Sequence, residues 1–136
     1  MEGKGKYFEG VGRRKSSVAR VRFYPEGPAG KFSVNDKDHD KYFVLARHKQ
    51  SSVAPLVVLD GTAKKNAAIT VQVKGGGPTG QAEAVTLGLA RALVKFNKDL
   101  KEQLRVLGFL TRDSRKVERK KPGLKKARRA PQWRKR

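Results

Sequence analysis

Hydrophobic and polar positions alternate most cleanly at two places in this 136-residue chain. Over residues 17–24, Ala19, Val21 and Phe23 share one face, and Arg20, Arg22 and Tyr24 share the other. A period of two predicts a strand that is buried on one side and basic on the other. Over residues 69–74, Ile69, Val71 and Val73 alternate with Thr70, Gln72 and Lys74, which predicts a second such strand. Residues 6–11 are expected to pair with the first strand across a loop, Gly12-Arg13-Arg14-Lys15. Residues 31–34 make a short strand ended by the turn pair Asn35-Asp36.

After a glycine cluster the period changes to that of a helix. Ala82, Val85, Leu89, Leu93 and Phe96 fall on one stripe at spacings of three and four. Gly88 costs this helix some stability but permits close approach to a sheet. A second helix is expected over residues 98–107, burying Leu100, Leu104 and Leu107. Gly108 then stands at its C′ position and brings Phe109 against Leu104. Weaker signals suggest short helices over 38–43 and 48–54, the latter stopped by Pro55. The elements add up to an α+β fold, and the length suits one domain with a modest core.

The pattern fails near Thr111. From Ser114 onward the large apolar side chains are Val117, Leu124 and Trp133, too few to offset the ordering entropy of that stretch. Pro122, Gly123 and Pro131 discourage a continuous helix. The expected division is a globular body over residues 1–111 and an extended basic arm over residues 112–136.

Charge sharpens the division. The chain has 33 Lys and Arg against 12 Asp and Glu, a net +21. Residues 112–136 hold 13 basic and 2 acidic side chains, and the remainder holds 20 and 10. Such an excess opposes compaction unless a polyanion neutralises it, which makes nucleic acid the expected partner. No apolar run is long enough to span a bilayer, and residues 1–6 lack the apolar core of a signal peptide. The arm has no matching apolar face, which disfavours a membrane-surface role. The absence of cysteine excludes disulfides, thiolate zinc sites and cysteine nucleophiles. The expectation is a soluble intracellular protein.

Motif by motif, the sequence argues against enzyme chemistry. Gly75, Gly77 and Gly80 satisfy G-x-G-x-x-G after a strand, with Asp99 some twenty residues on. The next predicted element is a helix, however, where a dinucleotide fold needs a strand, and Asp99 suits the start of that helix. Gln81-Ala82 stands where a Walker-A loop needs Lys-Ser/Thr. What survives is a loop whose backbone N–H groups can hold an RNA phosphate, or else a tight turn with Pro78 opening the helix. Asp36, Asp38 and Asp40 alternate like a calcium loop. Lys41 replaces its glycine and Arg47 its closing Glu, so a solvated acidic turn is expected. His39 and His48 lack further ligands at metal spacing. No base stands beside a serine in a catalytic pattern. No cofactor, metal or small-molecule substrate is expected.

The basic groups remain as the candidate chemistry. Arg119-Lys120-Lys121, Lys125-Lys126, Arg128-Arg129 and Arg134-Lys135-Arg136 recur with small or stiff spacers. A chain of this kind enters grooves too narrow for a folded domain and orders on contact. Trp133 adds a stacking plane. A nucleoid-type DNA binder would share the charge, but no groove-reading helix or dimer element is apparent.

In order and spacing, these residues resemble the bacterial-type S-nine family of small-subunit ribosomal proteins. The resemblance is carried by Gly12-Arg13-Arg14-Lys15, Val18-Ala19-Arg20-Val21, Lys74-Gly75-Gly76-Gly77 and Gly80-Gln81. Further on it includes Gly88-Leu89-Ala90-Arg91-Ala92-Leu93, Gly108-Phe109-Leu110-Thr111-Arg112-Asp113 and Val117-Glu118-Arg119-Lys120-Lys121. It ends with Lys126-Ala127-Arg128-Arg129-Ala130-Pro131-Gln132 and Lys135-Arg136. The resemblance implies a two-layer sandwich of a four-stranded sheet and helices, like the second domain of ribosomal protein S-five. It implies a non-enzymatic place in the small-subunit head of a cytoplasmic or plastid ribosome, among neighbouring head proteins. Ribosomal RNA would then lie on Arg13, Arg14, Lys15, Arg20, Arg22, Lys74, Gly75, Gly76, Gly77 and Gly80. The arm would add Arg112, Arg119, Lys120, Lys121, Lys125, Lys126, Arg128, Arg129 and Trp133. Its tip, Arg134, Lys135 and Arg136, would touch transfer RNA in the P site. This chain has Arg134 where the family usually has Ser, and Pro122 where an aromatic is common.

Overall fold

The computed structural model describes residues 5–134. Its strands are β1 (Phe8–Arg14), β2 (Ser17–Tyr24), β3 (Phe32–Val34), β4 (Lys37–Asp38) and β5 (Ala68–Lys74). They form one sheet in the order β1-β2-β5-β3-β4, antiparallel throughout except where β3 runs parallel to β5. The fold is therefore α+β, with five strands rather than the expected four. The extra strand is the two-residue return of a hairpin. Asn35 and Asp36 both take positive φ, at 47° and 64°, which is the backbone a two-residue hairpin turn requires. Asn35 also bridges to the backbone of Val73 in both directions, donating from Nδ2 to its carbonyl and accepting its N–H at Oδ1, each at 2.9 Å.

β1 overturns one expectation. Its register pairs Arg14 with Ser17, so the connection is only Lys15-Ser16, with Lys15 at φ 52°. Gly12, Arg13 and Arg14 are strand residues, not loop residues. The alternation of β2 pulls the pairing on to its end, because slipping by one residue would turn its apolar side chains to solvent.

The helices are α1 (His39–Tyr42), α2 (Ala46–Val53), α3 (Gly61–Asn66), α4 (Pro78–Phe96) and α5 (Leu100–Val106), with a 3-10 turn over Ala54–Val58. Pro55 ends α2 as an α-helix but opens this tighter turn instead of a loop. α3 was not anticipated. It carries no buried residue and so leaves no apolar stripe to read.

α4 lies across β1 and β2 on one face of the sheet. Ala82, Val85, Leu89 and Leu93 meet Ala19, Val21, Phe23, Ile69, Val71 and Val73 in the core. The approach is closer than the stripe alone implied. A Cβ on Gly88 would lie 2.8 Å from Val21 Cγ2, and one on Gly12 would fall on the carbonyl oxygen of Ala84. Glycine on both sides lets the helix and strand backbones touch. Because α2 and α5 pack on its other sides, α4 also buries Ala84, Leu87 and Ala90.

α5 is capped as expected. Gly108, at φ 78°, donates to Arg105 O at 3.0 Å, and Phe109 donates to Leu104 O at 3.0 Å, the paired bonds of a Schellman motif. Leu104 is fully buried, but Leu107 is half exposed, contrary to expectation. No described residue after α5 joins a helix or strand.

Candidate nucleic-acid interface

Because Val18 pairs with Lys74, the Lys15-Ser16 turn and the glycine loop lie side by side at one end of the sheet. The glycines are there for packing. Gly75 and Gly76 have φ of 75° and 67°, and a Cβ on Gly75 would lie 2.6 Å from Ser16 O while one on Gly76 would fall on Ser17 Oγ. Gly80 is buried, with its Cβ position 3.0 Å from Ser17 Oγ. Ser17 Oγ and Gln81 Nε2 both donate to the carbonyl of Gly75, at 2.9 and 3.1 Å. Only Gly77, the residue preceding Pro78 and α4, opens on free space. The G-x-G-x-x-G spacing thus records a loop folded onto a β-turn. α4 runs on to α5, with Asp99 as the N-cap, and no strand follows among the described residues.

Around this loop the exposed cations are Arg13, Lys15 and Lys74. Arg14 is different. Within β1, Gly10 and Gly12 face α4, so Arg13 points to the open side of the sheet and Arg14 points toward the helix. Arg14 Nε meets Glu83 Oε2 at 2.5 Å, Nη2 lies 3.2 Å from Asp113 Oδ2, and Nη1 donates to Arg115 O at 2.5 Å.

The open face of the sheet carries Glu9, Arg20, Arg22, Thr70, Gln72 and Ser33, with Lys31 beside it. Part of it is a groove of about 240 Å³ lined by Arg20, Arg22, Lys31, Ser33, Thr70 and Gln72 among others. Arg22 Nε donates to Glu9 at 3.0 Å, and its guanidinium lies 4.8 Å from the ring centroid of Tyr7. The bond to Glu9 is the main cause that raises the Arg22 pKa further. Arg20 donates to Gln72 Oε1 at 3.0 Å and lies 3.8 Å from Glu9. Sequence reasoning missed Lys31 as part of this face. Its place just before a short strand was the available signal.

In the C-terminal stretch Arg112, Arg119, Lys120, Lys125, Lys126, Arg128, Arg129, Trp133 and Arg134 are exposed. The guanidinium of Arg134 lies 5.2 Å from the Trp133 ring centroid. Glu118 gathers Lys121 and Arg128, the latter at 3.0 Å. Asp113 takes a bidentate contact from Arg115, Nε to Oδ1 at 3.1 Å and Nη2 to Oδ2 at 2.8 Å, and accepts its backbone N–H at 2.9 Å. These bonds from Arg115 hold the Asp113 carboxyl well below the usual carboxylate range. Lys135 and Arg136 lie outside the described residues.

The histidines are structural. His39 Nε2 lies 2.7 Å from Ser52 Oγ, and the ring stacks on Phe32 with centroids 4.4 Å apart. His48 Nε2 is 3.1 Å from Thr79 Oγ1 and ties α2 to the start of α4. Asp36, Asp38 and Asp40 are dispersed over a turn, β4 and α1. Among the described residues no group of three or more His, Asp and Glu side chains could hold a metal ion.

Comparison with known proteins gives a consistent result. The family model described as ribosomal protein S9/S16 matches residues 12–136. The small ribosomal subunit protein uS9 of one Thermus thermophilus strain is 49% identical over 129 residues, covering 95% of this chain and 98% of that protein. The protein of the same name in a second strain of that species matches to the same extent. The small ribosomal subunit protein uS9m of Arabidopsis thaliana is 49% identical over 127 residues, covering 93% of this chain and 29% of that longer protein.

Proposed function

This chain belongs to the ribosomal protein S9/S16 family, and from that premise we propose that it is a structural constituent of the small ribosomal subunit that binds ribosomal RNA by charge neutralisation. The observation that carries this reading is the distribution of cations. In residues 112–134 the two carboxylates are already occupied by their own neighbours, and nine or more cations and aromatic positions stand open to solvent. Neutralising phosphates with such groups releases condensed counterions, and the affinity falls steeply with salt. No chemical step is required of the protein.

The finer reading divides the chain into a body over residues 1–111 and an arm over residues 112–136. The body meets ribosomal RNA with Arg13, Lys15 and Lys74 beside the glycine loop, and with the open sheet face. The arm follows the RNA within the head of the subunit. Its tip, residues 134–136, reaches the P-site transfer RNA, where Arg134 adds a cation beside the Trp133 ring.

Sucrose-gradient fractionation of a native extract in high salt tests the ribosomal reading. The protein is expected to remain with the small-subunit peak. Release to the top of the gradient would leave a general nucleic-acid binder as the better description. Removing residues 134–136 tests the tip: P-site transfer RNA binding should weaken while the truncated chain still enters subunits. Unchanged transfer RNA affinity would remove the tip from the reading.

A further inference from the structure

Arg14, one of the cations that the sequence assigned to RNA, has all three of its guanidinium nitrogens engaged by protein oxygens. Its partners come from two places far apart in sequence. Glu83 belongs to α4, and Asp113 and the Arg115 carbonyl belong to the start of the C-terminal stretch. Arg115 closes the set from the other side through its bidentate contact with Asp113. Five residues upstream the Schellman bonds at Gly108 and Phe109 already fix the chain as it leaves α5. Two successive restraints therefore hold the root of the stretch against the end of the sheet where the glycine loop lies.

We propose that Arg14 is a strut and not an RNA contact: with Glu83, Asp113 and Arg115 it clasps the root of the C-terminal stretch and sets the direction in which the later cations leave the folded part. The proposal deepens the reading that this stretch binds RNA, and its effect on binding rests on that reading. Fixing the root before RNA is met reduces the ordering cost that the stretch must meet on binding. It also keeps the following cations within reach once the folded part has docked, as a short tether does. Asp113 is the informative residue, because a charge count and the clasp predict opposite signs for its replacement. Removing a carboxylate from a polycation should tighten binding to RNA by simple electrostatics. Removing it from the clasp should loosen binding.

The test uses the full-length chain and deproteinised small-subunit ribosomal RNA as the probe. Asp113→Asn is expected to weaken binding roughly three- to tenfold, the scale of ordering one or two further side chains. Asp113→Glu should recover most of the loss. For Arg14→Gln the slope of log affinity against log salt should stay at the parent value. A phosphate contact would instead lower it by about one. The chain contains no cysteine, so a spin-label pair at Lys101→Cys and Lys116→Cys, the latter just past the clasp, reads it directly in the absence of RNA. The parent should give a narrow distance distribution that Asp113→Asn broadens and Asp113→Glu restores. Tighter or equal RNA binding by Asp113→Asn, or an unbroadened distribution, would overturn the proposal. If the parent chain itself shows no preference for this RNA, the RNA reading fails, while the spin-label result still decides whether the clasp exists.

Discussion

The part of the chain up to Leu110 and the stretch from Arg112 onward carry similar excess positive charge but use it in different ways. In the folded part, several cations are drawn onto protein oxygens. Arg91 donates to Val11 O and Lys95 to Glu9 O, each at 2.7 Å, so two α4 side chains satisfy carbonyls on the edge strand β1. Arg14 and Arg22 are held by carboxylates. In the C-terminal stretch there are two acids for 13 cations, and no core to bury either. A net positive charge on a folded surface is thus a poor count of the groups available to a polyanion. Carboxylates and well-placed carbonyls compete for cations first, and the charge left for a partner is greatest where acids are scarce.

Deleting residues 112–136 breaks the comparison most severely. Affinity for small-subunit RNA should fall by several decades at moderate salt, since the deletion removes 13 cations and only two acids in one continuous run. The thermal midpoint of the remaining chain should change little, because the core lies elsewhere. Salt-dependent RNA binding and thermal unfolding of the same truncated chain check both halves. Retained affinity would place the RNA contacts in the folded part.

Gly12→Ala acts on the opposite side. The new Cβ meets the Ala84 carbonyl on the α4 backbone, which cannot rotate away as a side chain would. Overpacking of this kind costs about 1–3 kcal/mol, and the upper end is expected here. Denaturant unfolding should show the loss, while the salt slope of RNA binding at a temperature where the variant is folded stays unchanged.

How far the sequence spoke follows from the same physics. The two strands with clean alternation and the helix with a regular stripe were legible, because burial on one face leaves a period in the residues. Gly108 was legible as a cap because a positive φ there favours glycine. Arg13 and Arg14 were not separable. Adjacent arginines read alike in a loop, and only the register that pairs Arg14 with Ser17 turns one to the open face and the other toward Glu83. Gly10 and Gly12 were silent for a related reason. A glycine that admits a helix backbone looks like a loop residue until its strand is known. The roles of Asp113 and Glu118 were hidden because ion pairs across a non-repeating chain leave no spacing rule.

A smaller test sharpens the junction between the regions. Gly108→Ala forces a left-handed conformation on a residue with a Cβ, at a cost of about 1 kcal/mol. Nothing stands within 4 Å of the new methyl, so backbone strain is the whole effect. The expected outcome is a small drop in unfolding midpoint, with hydrogen exchange accelerated at the amides of Gly108 and Phe109. Exchange unchanged at both would mean that the cap contributes nothing at the junction.

The smallest effect comes from adding charge to the folded part by pH. Both histidines of the chain lie there. His39 has its pKa lowered from 6.5 chiefly by burial, with Lys49 acting in the same direction and Asp40 and Asp38 against it. A lowered folded pKa means that the unfolded chain binds the proton more readily. Stability should therefore be level above the unfolded value of about 6.5, decline as pH falls through it, and flatten once the folded protein also protonates. The Ser52 hydroxyl at 2.7 Å cannot replace the lost hydration of an imidazolium stacked on Phe32. Replacing His39 by Gln should remove the slope between pH 7.5 and 5.5 in thermal unfolding, even if it lowers the plateau. Converting Gln132 in the exposed stretch to His should leave the slope as it was, because a new cation there is solvated and opposed by nothing buried. A slope that persists without His39 would assign the pH dependence to another group. It would then no longer support the contrast between a buried site that excludes unpartnered charge and an exposed stretch that carries it freely.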